Sequence, residues 1–159
     1  MKENVIDVLM FLFDNYLNIE AEGYSDEMSL ALELEEAGFM EGEINKAFDW
    51  LGDIADLYHE RASLMTAEYD AVRILTEAEK HKLDAECQGF LMTLQAMNLL
   101  DAVTREIIIE SAMKIEVDEL NLQEFKRIVG LVVLNSPRHD EILIWVEDLI
   151  YDDIEETVH

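Results

Sequence analysis

The chain has 159 residues, half of them hydrophobic, and its 37 acidic against 11 basic residues give a formal net charge of -26. The length suits one ordinary domain, or two very small ones sharing a core, and the apolar half assigns the acidity to a folded surface instead of a disordered chain. A field of this sign repels phosphate, so direct binding to nucleic acid or to an anionic membrane surface is disfavoured.

The longest uninterrupted apolar run, Val8 to Phe13, is far too short to span a bilayer. Acids at Glu3, Asp7 and Asp14 interrupt the N-terminal apolar block, which argues against a signal peptide. A lone cysteine, Cys87, leaves no internal disulfide to form and fits a reducing, cytoplasmic setting.

Glycine and proline are scarce and the apolar spacing is helical nearly throughout, which predicts an all-α fold. Asn4 to Leu17 is apolar around most of its circumference, so this first helix is expected to be buried on several sides. Its cover is either the chain's own core or a second copy in a symmetric dimer, and the sequence leaves both open. A second helix starts from a cap at Ser25 or Asp26 and ends at Ala37, before Gly38. The third, about Glu41 to Glu60, places Ile44, Ala47, Phe48, Leu51, Ile54, Ala55 and Tyr58 on one side and Asp49, Asp53, Asp56 and Glu60 opposite. Trp50 and Leu57 fall at the border between those faces.

The helical period lapses from Arg61 to Leu75, with a short extended piece expected near 71–75. Thr76 with Glu79 opens one helix carrying Leu83, Cys87, Phe90, Leu91, Leu94 and Met97, which stops at Asn98. Asp101 begins the next, Asn121 with Glu124 caps another, and Ser136-Pro137 breaks the chain before a last stripe from Ile142 to Ile150. The expected architecture is a compact stack of six or seven helices in αα-hairpins. Residues 1–60 form an acidic three-helix block, 61–75 an irregular connector, and 76–159 a helical block packed with the first as one domain. The charge is uneven along this plan, with net -14 over residues 1–60, -2 over 61–100 and -10 over 101–159.

Chemistry is hard to place on this scaffold. Cys87 sits on an apolar stripe and reads as a small core residue, not a nucleophile. Glu77 and His81 stand one helical turn apart and read as an exposed pair. Asp152, Asp153, Glu155 and Glu156 lack the loop spacing of an EF-hand and read as a solvated tail. No phosphate loop, dinucleotide fingerprint or GxSxG occurs, so neither a catalytic residue, a metal site nor a cofactor is predicted.

The strings VIDVLMFLFDNYL, LEEAGFMEGEINKAFDWLGDIADL, LDAECQGFLMTLQAMNLLDAVTREIIIESAM and ELNLQEFKRIVGLVVLN resemble successive blocks of the Smg protein family of proteobacteria. Gln88 departs from that pattern, which has arginine there. The resemblance implies a small cytoplasmic bacterial protein whose gene commonly neighbours that of a DNA-processing protein, and it brings no catalytic residues with it. The expectation is therefore a non-enzymatic adaptor or regulator binding a basic protein surface, with Asp49, Trp50, Asp53, Asp56, Leu57 and Glu60 as interaction candidates. The alternatives are an acidic mimic of DNA that inhibits a DNA-binding protein, and an enzyme with an unrecognised site.

Overall fold

The computed structural model of the protein describes residues 4–22 (side chains as far as Asn15), 27–61, 74–136 and 148. Seven helices are found among them: α1 (Val5–Glu22), α2 (Glu27–Glu36), α3 (Glu41–Arg61), α4 (Glu77–Lys82), α5 (Ala85–Ala96), α6 (Ala102–Lys114) and α7 (Leu122–Leu134). The described residues contain no β-strand, only an isolated bridge between Leu83 and Leu120. The fold is all-α.

Local signals set most of the boundaries. Gly38, at φ 102°, closes α2, with the Gly38 N–H reaching the Glu35 carbonyl and the Phe39 N–H reaching that of Leu34. Asn98, at φ 58°, repeats this for α5 through Gln95 and Leu94. Both are Schellman closures, which need a residue that tolerates positive φ. Reciprocal capping boxes open α4 at Thr76–Glu79 and α7 at Asn121–Glu124, and the Asp101 carboxylate caps α6.

The helix expected to run unbroken from Thr76 to Asn98 is in fact two. Leu83 takes an extended conformation and pairs with Leu120, and the Asp84 carboxylate then accepts the Cys87 N–H at 3.0 Å, starting α5 afresh. A long-range backbone pairing and a strong N-cap together override the continuous apolar period. Residues 71–73 of the expected extended piece lie outside the described residues, and Ile74 and Leu75 belong to no regular element. The stripe from Ile142 to Ile150 also lies outside them, apart from a helical, exposed Asp148.

Four helices close a ring of contacts, α1 on α7, α7 on α6, α6 on α3 and α3 on α1. Around it α5 packs on α7, α2 on α3 and α4 on α6. Val5, Ile6, Val8, Leu9, Leu12 and Phe13 of α1 are all buried, so the chain's own core covers the described apolar part of this helix. Helix α7 lies deepest, with every residue from Phe125 to Val133 buried. Its contact with α1 depends on Gly130, since a Cβ there would stand 2.2 Å from the Phe13 ring.

Gly130→Ala is expected to destabilise the protein by about 1–3 kcal/mol through overpacking, despite the better helix propensity of alanine. Gly89→Ala, in a helix where a Cβ would meet nothing within 4 Å, should be neutral or stabilising. Urea denaturation of the two variants checks the contrast.

Candidate functional site

Helix α3 is amphipathic over 21 residues, and its solvent side carries Asp49, Asp53, Asp56 and Glu60, all exposed. Trp50 and Leu57 do not stand out as surface anchors, being only 6% and 8% exposed. Ala55, expected inside, is exposed, and Phe48 and Leu51 are half-buried. At about 100° per residue this rotates the buried stripe by roughly 40° toward the acidic side.

The end of α6 explains the rotation. Four carbonyls at a helix C-terminus lack an intrahelical partner. Here the Trp50 indole donates to the Ser111 carbonyl at 2.8 Å, and the Lys82 ammonium donates to those of Met113, at 3.1 Å, and Ile115. Side chains from α3 and α4 thus cap α6, and the lysine cation also complements the helix dipole. Burial lowers the Lys82 pKa, opposed by the nearby Asp118 carboxylate. The Lys82 carbonyl meanwhile accepts the Leu120 N–H at 3.0 Å, holding the segment after α6 in place.

Positive charge is drawn inward. Lys82, Arg105, Lys126 and Arg127, four of the chain's 11 basic residues, are buried. Lys126 lies 5.3 Å from the centre of the Phe90 ring, and Arg127 reaches Asp14 at 3.2 Å and the Gln123 side chain at 2.6 Å. Arg61 joins the end of α3 to Glu110 of α6 at 2.7 Å. Among the described acidic residues only Glu79 is buried. The surface is consequently more acidic than net charge alone implies.

A cleft of about 350 Å³ opens where the start of α1 meets α3 and the end of α6. Val5, Trp50 and Ile115 form its apolar side, and Glu43, Lys46, Asp49, Asp53, Lys114 and Glu116 its polar one. Lys46 bridges the two edges, 3.5 Å from Glu43 and 3.8 Å from Glu116. The sequence singled out Asp49, Trp50 and Asp53, which the fold gathers here, whereas Asp56, Leu57 and Glu60 lie outside the cleft lining. It could not supply Glu116, since nothing local ties that residue to α3; only Lys46, the single base between Ser29 and Glu60, hinted at a paired position.

Cys87 is fully buried, its thiol 3.5 Å from the Leu120 carbonyl. Burial first, then the Asp84 carboxylate, pushes its pKa up from 9.0 to about 12. Glu77 and His81 are both exposed, and Glu77 sits 4.0 Å from Lys80. Within the described residues no three His, Cys, Asp or Glu side chains are grouped to hold a metal ion, and no helix is long and apolar enough to cross a membrane. His139, Trp145, His159 and the carboxylates from Asp152 to Glu156 lie outside the described residues.

Fold and surface together define a small, acidic, all-helical protein in which half of the described basic residues are buried. A family described as "Protein of unknown function (DUF494)" matches residues 5–159. Proteins named "Protein Smg homolog" are similar over their whole length and the whole of this chain: 42% identical in Nitrosococcus oceani, 39% in Thioalkalivibrio sulfidiphilus and 40% in Stenotrophomonas maltophilia. The chain belongs to the Smg family. No solved structure matches it.

Two outcomes are expected. Neutralising Asp49, Asp53 and Asp56 to Asn should leave stability within about 0.5 kcal/mol or raise it, as these are exposed like charges. Trp50→Phe should cost about 1–2 kcal/mol by stranding the Ser111 carbonyl; urea midpoints separate the two.

The thiol makes a further test. In the unfolded chain Cys87 ionises near 9, but in the fold it stays protonated to about 12, so its contribution is complete below pH 9 and lost as pH rises toward 12. Tyr58, raised from 10.0 to about 12 mainly by burial, adds the same sign of dependence above pH 10. Lys82, with its pKa lowered, acts in the opposite direction below 10.5. Cys87→Ala should lose stability at neutral pH yet show a shallower decline between pH 9 and 10 than the parent, read from urea midpoints across that range.

Proposed function

We propose that the protein is a cytoplasmic, non-enzymatic adaptor or regulator that binds a basic protein surface through its carboxylate faces, its partner being a DNA-processing protein. The observation that carries this reading is the sorting of charge by the fold, with Lys82, Arg105, Lys126 and Arg127 inside and the α3 row of Asp49, Asp53, Asp56 and Glu60 outside. Opposite charge steers a basic partner toward such a face and fixes its register. The DNA-processing assignment follows the gene neighbourhood implied by the family resemblance. The non-enzymatic one is supported by Cys87, a deeply buried thiol held protonated.

A second reading uses the same row differently. Four exposed carboxylates repeat along one helix at intervals of three and four residues, a row of negative charge that a DNA-binding groove would accept. Competition separates the readings: a mimic displaces DNA from the partner, and an adaptor leaves it bound.

Cross-linking and mass spectrometry of complexes captured from native lysate should recover a basic protein that is held at low salt and released at high salt. Exchanging Asp49, Asp53, Asp56 and Glu60 for their amides should reduce recovery severalfold. Capture unaffected by both salt and substitution, or no specific capture, would refute the reading.

A further inference from the structure

We propose that the cleft between α1, α3 and the end of α6 seats one cationic side chain, an arginine, presented by the partner. This rests on the basic-partner reading and names the point at which that surface is read. Three features of the cleft converge on a guanidinium. Its volume of about 350 Å³ admits a long side chain and is too small for a folded element. Val5, Trp50 and Ile115 line an apolar side along which a methylene stem can lie, and Asp49 and Asp53, one helical turn apart, belong to the polar lining. Most directly, the protein already places a cation there. The Lys46 ammonium is held at 3.5 Å by Glu43 of α3 and at 3.8 Å by Glu116 of the segment after α6.

That internal pair is exposed, with Lys46 53% and Glu116 82% accessible, and both separations are long for a charge-assisted hydrogen bond. Such a contact is weak and exchangeable. An arriving guanidinium, planar and able to engage a carboxylate through two N–H groups, is the better ligand for the same oxygens. Lys46 then acts as a resident competitor that an arginine displaces. This makes a distinctive prediction, because deleting a positive charge from a diffuse acidic surface strengthens cation binding only slightly, whereas deleting the competitor strengthens it at this site.

The test is a heteronuclear NMR titration of the full chain with a Gly-Arg-Gly-Arg-Gly peptide at low ionic strength, with its lysine counterpart as a comparison. The Trp50 indole and the amides of Asp53 and Glu116 should shift. Asp49→Asn with Asp53→Asn should weaken binding about tenfold, and Glu35→Gln with Glu36→Gln, the same loss of charge on exposed positions of α2, by less than about twofold. Lys46→Gln should tighten it severalfold. The cleft assignment is overturned if both double variants weaken binding equally, if the shifts map elsewhere, or if Lys46→Gln fails to tighten binding, and in each case the basic-partner reading survives. Absence of any shift with either peptide overturns both.

Discussion

The contact on which the rest of the fold hangs is the Phe13 ring lying where a side chain at position 130 would be. Glycine inside a helix is normally a cost, both in chain entropy and in lost packing. At Gly130 the missing side chain admits an aromatic ring from α1, and with it the apolar stripe from Val5 to Phe13 closes on α7. Together with α5 and α6, that closure buries α7 from Phe125 to Val133, including Lys126 and Arg127. A charge this deep needs a compensating partner. Phe90 offers its ring face to the first, and Asp14 and Gln123 their oxygens to the second. One small residue thereby contributes, through helix packing, to a core into which basic side chains turn.

The end of α6 completes the same separation of sign from another direction. Its last carbonyls are satisfied by Trp50 from α3 and Lys82 from α4, so a second lysine is withdrawn from the surface and an indole from the rim. The cleft beside Trp50 is a by-product of this arrangement: the indole is pulled toward Ser111, and α3 presents Asp49 and Asp53 over the space that remains. Burial of Trp50 therefore does not remove it from the candidate surface but changes its role. It forms the wall of a depression and does not project as an anchor.

Much of the helical plan was legible because its signals are local. Gly38 and Asn98 mark helix ends through their own backbone preferences, and Thr76–Glu79 and Asn121–Glu124 close capping boxes within four residues. What escaped the sequence depends on distant partners. The break at Leu83 requires Leu120, and the inward turn of Trp50 requires Ser111, 61 positions away. The buried lysines and arginines were equally invisible, since composition counts a base the same whether it faces water or an aromatic ring. The acidic row on α3 was read correctly by periodicity, but its association with Glu116 needed the fold.

The size of the charge imbalance bears on whether that row serves solubility alone. A net charge of magnitude about 2–8 suffices to keep a small domain in solution, and charges of both signs are best interspersed for that purpose. This chain carries -26, and folding segregates its signs further instead of mixing them. Self-repulsion of this kind works against the compact state. The same exposed carboxylates that are an electrostatic burden to the isolated chain become complementary when a cationic surface approaches. Lys46, held between Glu43 and Glu116, is a partial and local answer to that field.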